Sequence, residues 1–214
     1  MQITYYGHSC FLLTADNGVK LLTDPCDGST GYDLNDIPAD ILTISHAHFD
    51  HNYIQAAAGT PVILETRGAH EVKGIRISGY QTWHDDVKGA KRGQNIVFLI
   101  EMDGLRICHL GDLGEMPDEA FYRRLGRVDV LLTPVGGTFT LDAEQATAVM
   151  DQIHPRITIP MHYRTPRLTF SVDDVTPFVA LAGDRAVRMV SGSDLSFAQG
   201  LPSVEQIVVL TAKG

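Results

Sequence analysis

The segment Ser45-His46-Ala47-His48-Phe49-Asp50-His51 sets the problem that any fold of this chain must solve. Four metal-competent side chains, three imidazoles and a carboxylate, stand almost side by side. They follow an apolar run over residues 41–44 that reads as a buried strand. In an extended chain successive side chains alternate, so His46 and His48 fall on one side and can reach one ion. Asp50 and His51 come at the start of a short helix predicted over 52–58, where the turning chain aims them at a neighbouring point. Neutral imidazole with carboxylate is a donor set that suits Zn²⁺ and that Fe and Mn also accept.

One metal ion needs further donors, and two need a bridge. Three more places offer them: His84 in Gln81-Thr-Trp-His84-Asp-Asp86, Asp112 in His109-Leu-Gly-Asp112-Leu-Gly114, and His162 in Pro160-Met-His162-Tyr163. Each lies at the end of a predicted strand or in the adjoining loop. Strand ends converge on one rim of a sheet, where rigid elements can hold a site. Several neighbours are candidates for supporting it. His109 precedes Asp112 on the incoming strand, His8 follows Gly7, and Asp24 before Pro25 is placed to brace a ligating histidine. Trp83 and Tyr163 adjoin proposed ligands and are candidates for lining a substrate pocket. His70 and His154 read as structural or exposed, and Arg164 and Arg167 as a solvated basic loop.

The rest of the pattern is short strands punctuated by Gly and Asp. Strands are predicted over 2–6, 9–14, 20–23, 41–44, 75–79, 96–101, 105–110, 128–133, 156–160, 187–190 and 206–211. Asp103-Gly104 is a strong hairpin signal, because Gly tolerates positive φ. Ala146, Val149, Met150 and Ile153 form a helical stripe behind a capping box of Asp142 and Gln145, ended by His154-Pro155. Val175, Phe178, Val179 and Ala182 repeat the stripe behind Ser171 and Asp173, and a further helix is expected over 118–125. Many strands and few one-faced helices suit two stacked sheets covered by helices outside; a wholly parallel sheet fits less well. No linker or repeat interrupts the chain, so residues 1–214 are expected to form a single domain.

Charge narrows the partners. Seventeen Lys and Arg against 26 Asp and Glu give −9 with nine His neutral, a balance that repels phosphate backbones. Nucleic-acid and anionic-membrane partners are therefore not expected. Cys10, Cys26 and Cys108 are widely spaced with no C-x-x-C, which suits a reducing cytosol. The opening Met1-Gln-Ile-Thr-Tyr-Tyr lacks a basic start and an apolar core, and the longest apolar run, residues 96–100, is far short of a span. A cytoplasmic protein without a membrane span is expected, and a homo-oligomer is compatible with all of this.

His46-x-His48-x-Asp50-His51, then His84, Gly111-Asp112 and His162, resembles the ligand signature of the metallo-β-lactamase fold superfamily. Gly7-His8-Ser9-Cys10, Thr23-Asp-Pro25, Gly136-Gly-Thr-Phe-Thr140 and Ile159-Pro-Met-His-Tyr163 resemble its small hydrolases related to L-ascorbate-6-phosphate lactonase and the N-acylphosphatidylethanolamine phospholipases. The resemblance runs from about Met1 to Arg167. It implies an α+β fold, a four-layer αββα sandwich of two mixed sheets with helices on the outer faces. It also implies two divalent ions, Zn first and Mn or Fe as alternatives. His46, His48 and His84 would hold one ion, Asp50, His51 and His162 the other, and Asp112 would bridge them. The implied reaction is hydrolysis of a phosphodiester, lactone or related ester of a small anionic substrate by a hydroxide of the dinuclear site, with Asp50 orienting it and moving its proton. Three other readings compete: an RNA-processing nuclease of the same fold, a di-iron redox enzyme, and a non-catalytic module in which metal is a structural staple.

Overall fold

The computed structural model describes residues 1–213. Alternating apolar segments joined by tight turns build the start of the first sheet locally. β1 (Gln2–Gly7), β2 (Cys10–Thr14) and β3 (Lys20–Thr23) form an antiparallel meander. Next come β4 (Ile37–Pro38), β5 (Ile41–Thr43), β6 (Ala57–Ala58) and β7 (Val62–Leu64). β5 and β7 extend the first sheet in parallel, while β4 and β6 pair as a separate ribbon.

The second sheet opens with β8 (Gly68–Val72), β9 (Ile75–Trp83), β10 (Gln94–Met102) and β11 (Leu105–His109), all antiparallel. The turn between the last two has φ of 50° at Asp103 and 78° at Gly104, the left-handed pair that a two-residue hairpin of this twist requires. β12 (Val130–Pro134) and β13 (Ile157–Met161) then add in parallel. β14 (Ala186–Met189), β15 (Asp194–Ser196) and β16 (Gln206–Val209) complete the set. The sheet orders are β15-β1-β2-β3-β5-β7 and β14-β16-β13-β12-β11-β10-β9-β8. Parallel neighbours need crossovers. α1 (Glu119–Leu125), α2 (Ala143–Ile153) and α3 (Thr176–Ala180) lie in those connections.

Strand alternation sorts the apolar side chains into layers. Tyr5, Phe11 and Leu13 meet Ile77, Phe98 and Leu132 between the two sheets. The outer face of the second sheet, with Leu99, Cys108 and Leu131, is covered by Phe121, Met150 and Phe178 of the three helices. The outer face of the first, with Leu12, Leu22 and Leu42, lies under Tyr32, Leu34 and Leu168, which belong to loops. The expected α+β sandwich of two mixed sheets is therefore what forms, with its α-helices gathered on one side. No helix of the described residues is long and apolar enough to cross a membrane.

Local expectations fail at two places. The helix predicted over 52–58 is one 3₁₀ turn, Ile54–Ala56, followed by β6, because Tyr53 and Ala57 are drawn into pairing with Pro25 and Ile37. Ser171 and Asp173 do not cap α3. The backbone of Asp173 is held by Gly136 and Arg164, so the helix starts only at Thr176, whose N–H is met by Asp174. The capping box of α2 forms as read: Asp142 accepts from the Gln145 N–H at 2.8 Å and donates its own to Gln145 Oε1 at 3.1 Å. Sixteen strands stand among the described residues where eleven are read from the sequence, since short or polar strands such as β8 and β15 carry no apolar period. Phe98 is fully buried between the sheets, so Phe98→Ala is expected to cost about 3–5 kcal/mol in chemical denaturation.

Candidate metal centre

Every donor read from the sequence, and two of the candidate supporting residues, His8 and Asp24, emerge just beyond the C-terminal end of a strand. His8 follows β1, Asp24 follows β3, and the segment from His46 to His51 follows β5. On the facing sheet His84 follows β9, Asp112 follows β11 and His162 follows β13. These strands run in the same direction within each sheet, so their ends share one rim. Three of the residues are turned inward at strained backbone: φ is 53° at His8, 37° at Asp24 and 52° at His162. Non-glycine residues are held there at a cost of about 1–3 kcal/mol each, which the packing around them must offset.

Asp112 is the hub of the cluster. Its Oδ2 lies 3.2 Å from His84 Nε2, 3.3 Å from His162 Nε2 and 3.8 Å from His46 Nε2, and its Oδ1 lies 3.1 Å from His51 Nε2. Two groups of donors surround it, His46 with His48 and His84, and His8 with Asp50, His51 and His162, and a third, Asp24 with His46 and His51, links them. Within each group the donor atoms lie within 4.8 Å of one another. His46 Nε2, His51 Nε2, His162 Nε2 and Asp112 Oδ1 are buried without a hydrogen bond among the described residues. Buried polar atoms left so are costly. A divalent cation is the partner whose chemistry satisfies such a set of imidazoles and carboxylates at once. The site therefore fits metal.

A ring of further contacts aims these side chains. Asp24 accepts from His51 Nδ1 at 2.8 Å and from the Ser45 N–H at 2.8 Å, and its other contact is the Ser45 hydroxyl. That leaves His51 Nε2 for the centre, the arrangement in which a carboxylate fixes an imidazole tautomer. His109 accepts from the Gly111 N–H through Nδ1 at 3.1 Å, so its Nε2–H donates to the Ser9 carbonyl at 2.9 Å. It thereby ties the turn before Asp112 to the first sheet. His8 Nε2 sits 3.2 Å from Asp50 Oδ2. Asn95 and Ser45 complete the ring and are absent from the sequence reading. Asn95 is fully buried, donates to Thr82 Oγ1 and to the Leu110 carbonyl, both at 2.9 Å, and accepts from the Asp112 N–H at 3.0 Å. Nothing in Gln94-Asn95-Ile96 distinguishes it from an ordinary strand boundary.

Two expected pocket residues lie elsewhere. Tyr163 is buried in the helix-side core, its hydroxyl 3.5 Å from the Leu210 carbonyl, and it borders a different cleft with Thr165 and Met189. The chain leaves β13 at Met161 and turns at His162, where φ is 52°, and this sends the next residue into the helix-side layer. Trp83 packs on Gly89, where an added Cβ would stand 2.6 Å from its ring, so it supports a loop. The cleft over the cluster holds about 310 Å³. His48, Asp50, His84, Asp112 and His162 reach into it, and Phe49, Phe139, Phe170 and Arg92 complete its lining.

The electrostatics of the cluster are those of packed like groups around buried carboxylates. Burial, reinforced by neighbouring imidazoles, lowers His8 to about 4 and His46 to about 3, and it lowers His48 and His109 in the same direction. For His51 burial acts the other way from the result: Asp112 and Asp24 on its two sides raise it well above the ordinary value. Asp112 and Asp50 are held below the carboxylate range despite burial, by the imidazoles against them.

Two outcomes follow for the chelator-treated protein. His8 and His46 are lowered in the fold, so below pH 6.5 the unfolded chain binds protons that the fold refuses. Their stabilisation is present above 6.5 and is lost as pH falls toward about 4, while that of His51, raised in the fold, is lost only above 6.5. Thermal melts should accordingly show Tm falling through that acid window. Asn95→Ala should lower unfolding free energy by about 1–3 kcal/mol and weaken metal affinity about 10–100-fold, read by denaturation and by metal titration.

Comparison with known proteins places this geometry. The family model described as a β-lactamase superfamily domain matches residues 2–162. A metal-dependent hydrolase of Thermococcus kodakarensis is 28% identical over 87% of this chain and 94% of its own length. Another, from Methanospirillum hungatei, is 30% identical over 77% of this chain and 84% of its own. A crystal structure from Thermotoga maritima, classed with the Zn-dependent hydrolases of the metallo-β-lactamase superfamily, covers 98% of this chain and 97% of that one. It is 35% identical with a TM-score of 0.83. The chain belongs to the β-lactamase superfamily domain family and is a metal-dependent hydrolase of the metallo-β-lactamase fold.

Proposed function

We propose that the cleft cleaves a phosphodiester, lactone or related ester of a small anionic molecule with the help of two divalent ions, Zn²⁺ in the first place and Mn²⁺ or Fe²⁺ as substitutes. The observation that carries this reading is the sharing of Asp112 between two donor groups, with histidines of both groups within 3.8 Å of its Oδ2. His46, His48 and His84 would hold one ion, Asp50, His51 and His162 the other, and Asp112 both. When bound, the ions supply Lewis acidity at the scissile group and bring the pKa of water down to about 7.

The protein's own groups do the rest. Asp50 stays ionised, lines the cleft, and takes the proton of the attacking water before returning it to the leaving oxygen. His8 steadies that carboxylate through its Nε2 contact of 3.2 Å. Asp24 and His109 act on orientation, not on the reacting atoms. A covalent intermediate has no support: the three cysteines are fully buried, and burial pushes the Cys26 thiol up to about 11. A cleft of about 310 Å³ is at the small end for ligand sites, which favours a small molecule over a polynucleotide.

The test is a screen of metal-reconstituted protein over phosphodiesters, lactones and thioesters, with Asp50→Ala as control and elemental analysis of the loaded protein. Activity should vanish on chelation, fall by about 10²–10⁴-fold in the variant, and accompany two bound ions per chain. Turnover that survives both chelation and Asp50→Ala would sink the reading.

A further inference from the structure

The hairpin that delivers His84 also delivers a cation to the cleft. Between β9 and β10 the chain winds around the Asp85 carboxylate. Oδ1 accepts the N–H groups of Val87 at 3.0 Å and Gly89 at 2.7 Å, and Oδ2 accepts those of Lys91 at 2.9 Å and Arg92 at 2.7 Å. The base of the loop is closed by the His84 N–H donating to the Gly93 carbonyl at 3.1 Å. Five hydrogen bonds thus fix the backbone of Arg92 relative to that of His84, a donor at the cluster. The Arg92 guanidinium lies 4.5 Å from the centre of the Phe139 ring. Among the described residues it has no carboxylate within 4.0 Å, whereas its neighbour Lys91 is paired with Asp86.

An exposed arginine on its own would carry no meaning. Arg92 differs in three respects: it lines the same cleft as Asp50 and Asp112, its backbone is immobilised, and its side chain is stacked. Stacking on an aromatic ring leaves the in-plane N–H groups of a guanidinium free, in the fork geometry that meets a carboxylate or phosphate. The remaining wall is aromatic. Phe49 comes from the histidine-rich segment, Phe139 from the loop after β12 and Phe170 from the loop after β13, with the Phe49 and Phe170 rings edge to face at 5.9 Å.

We propose that Arg92, laid on Phe139, is the specificity element of this cleft and seats a terminal oxyanion of the substrate. The substrate class is then a small ester in which a carboxylate or phosphate is separated from the scissile bond by an apolar, ring-sized group held among Phe49, Phe139 and Phe170. This rests on the hydrolytic reading of the metal centre and adds to it the chemistry at the far end of the substrate.

Matched aryl esters whose acyl group ends in a phenyl or a carboxyphenyl ring test it on the metal-reconstituted protein. The carboxylated ester should be preferred, chiefly through KM. Arg92→Ala should lower kcat/KM for the carboxylated ester about tenfold more than for the neutral ester, and Arg92→Lys should restore only part of that difference. A preference that survives Arg92→Ala overturns the proposal. Should the wild type hydrolyse neither ester, the bond class of the hydrolytic reading is to be sought among phosphodiesters and lactones, and calorimetric binding of phenylphosphonate against the neutral benzyl alcohol decides the pocket on its own. Weaker phosphonate binding in Arg92→Ala then supports it, and equal binding overturns it.

Discussion

A single carboxylate, that of Asp112, is the constraint around which the rest of this molecule is arranged. Four imidazole nitrogens from three separate stretches of chain come within 3.8 Å of its oxygens. Such a concentration of polar groups, buried almost completely, is unfavourable unless each atom is satisfied. The protein meets this with a second ring of hydrogen bonds from Asp24, Ser45, Asn95 and His109, and leaves the inward-facing atoms for cations. The outer ring makes the inner one rigid.

The fold explains why those atoms can converge at all. Two sheets packed face to face place the C-terminal ends of six strands on one rim, and within three residues of each end the chain supplies a donor or, at Asp24, its brace. The core between the sheets is almost wholly apolar, and its one large polar tip, the Tyr5 hydroxyl, donates to the His8 carbonyl at the rim at 3.1 Å. At the rim His8, Asp24 and His162 occupy left-handed backbone. Such conformations survive only where the surroundings over-determine them.

What was legible in the sequence was whatever depends on local period or on short spacing. Hairpins at Asp103-Gly104, the capped helix behind Asp142 and the histidine-rich segment after a strand all carry their physics within a few residues. The fold class was equally legible, since strand-rich alternation with a few one-faced helical segments leaves few packings. The 52–58 segment misled because its helical pattern is short, and short nuclei yield to tertiary pairing. Tyr163 misled because the left-handed turn at His162 separates two sequence neighbours into different surroundings. Asn95 gave no signal, since a lone amide at a strand boundary looks the same whether it faces water or a buried aspartate.

The sequence by itself determined the donor types, the alternation that pairs His46 with His48, and the apolar strands that must bury themselves in two sheets. Those follow from covalent order and from the two-residue period of an extended chain. Only the tertiary structure decided that Asp112 lies between the two donor groups, that Asp24 and His109 are braces, and that Arg92 rests on Phe139 beside them. These depend on contacts between residues tens of positions apart, whose distances are set by sheet packing and by the Asp85-centred loop.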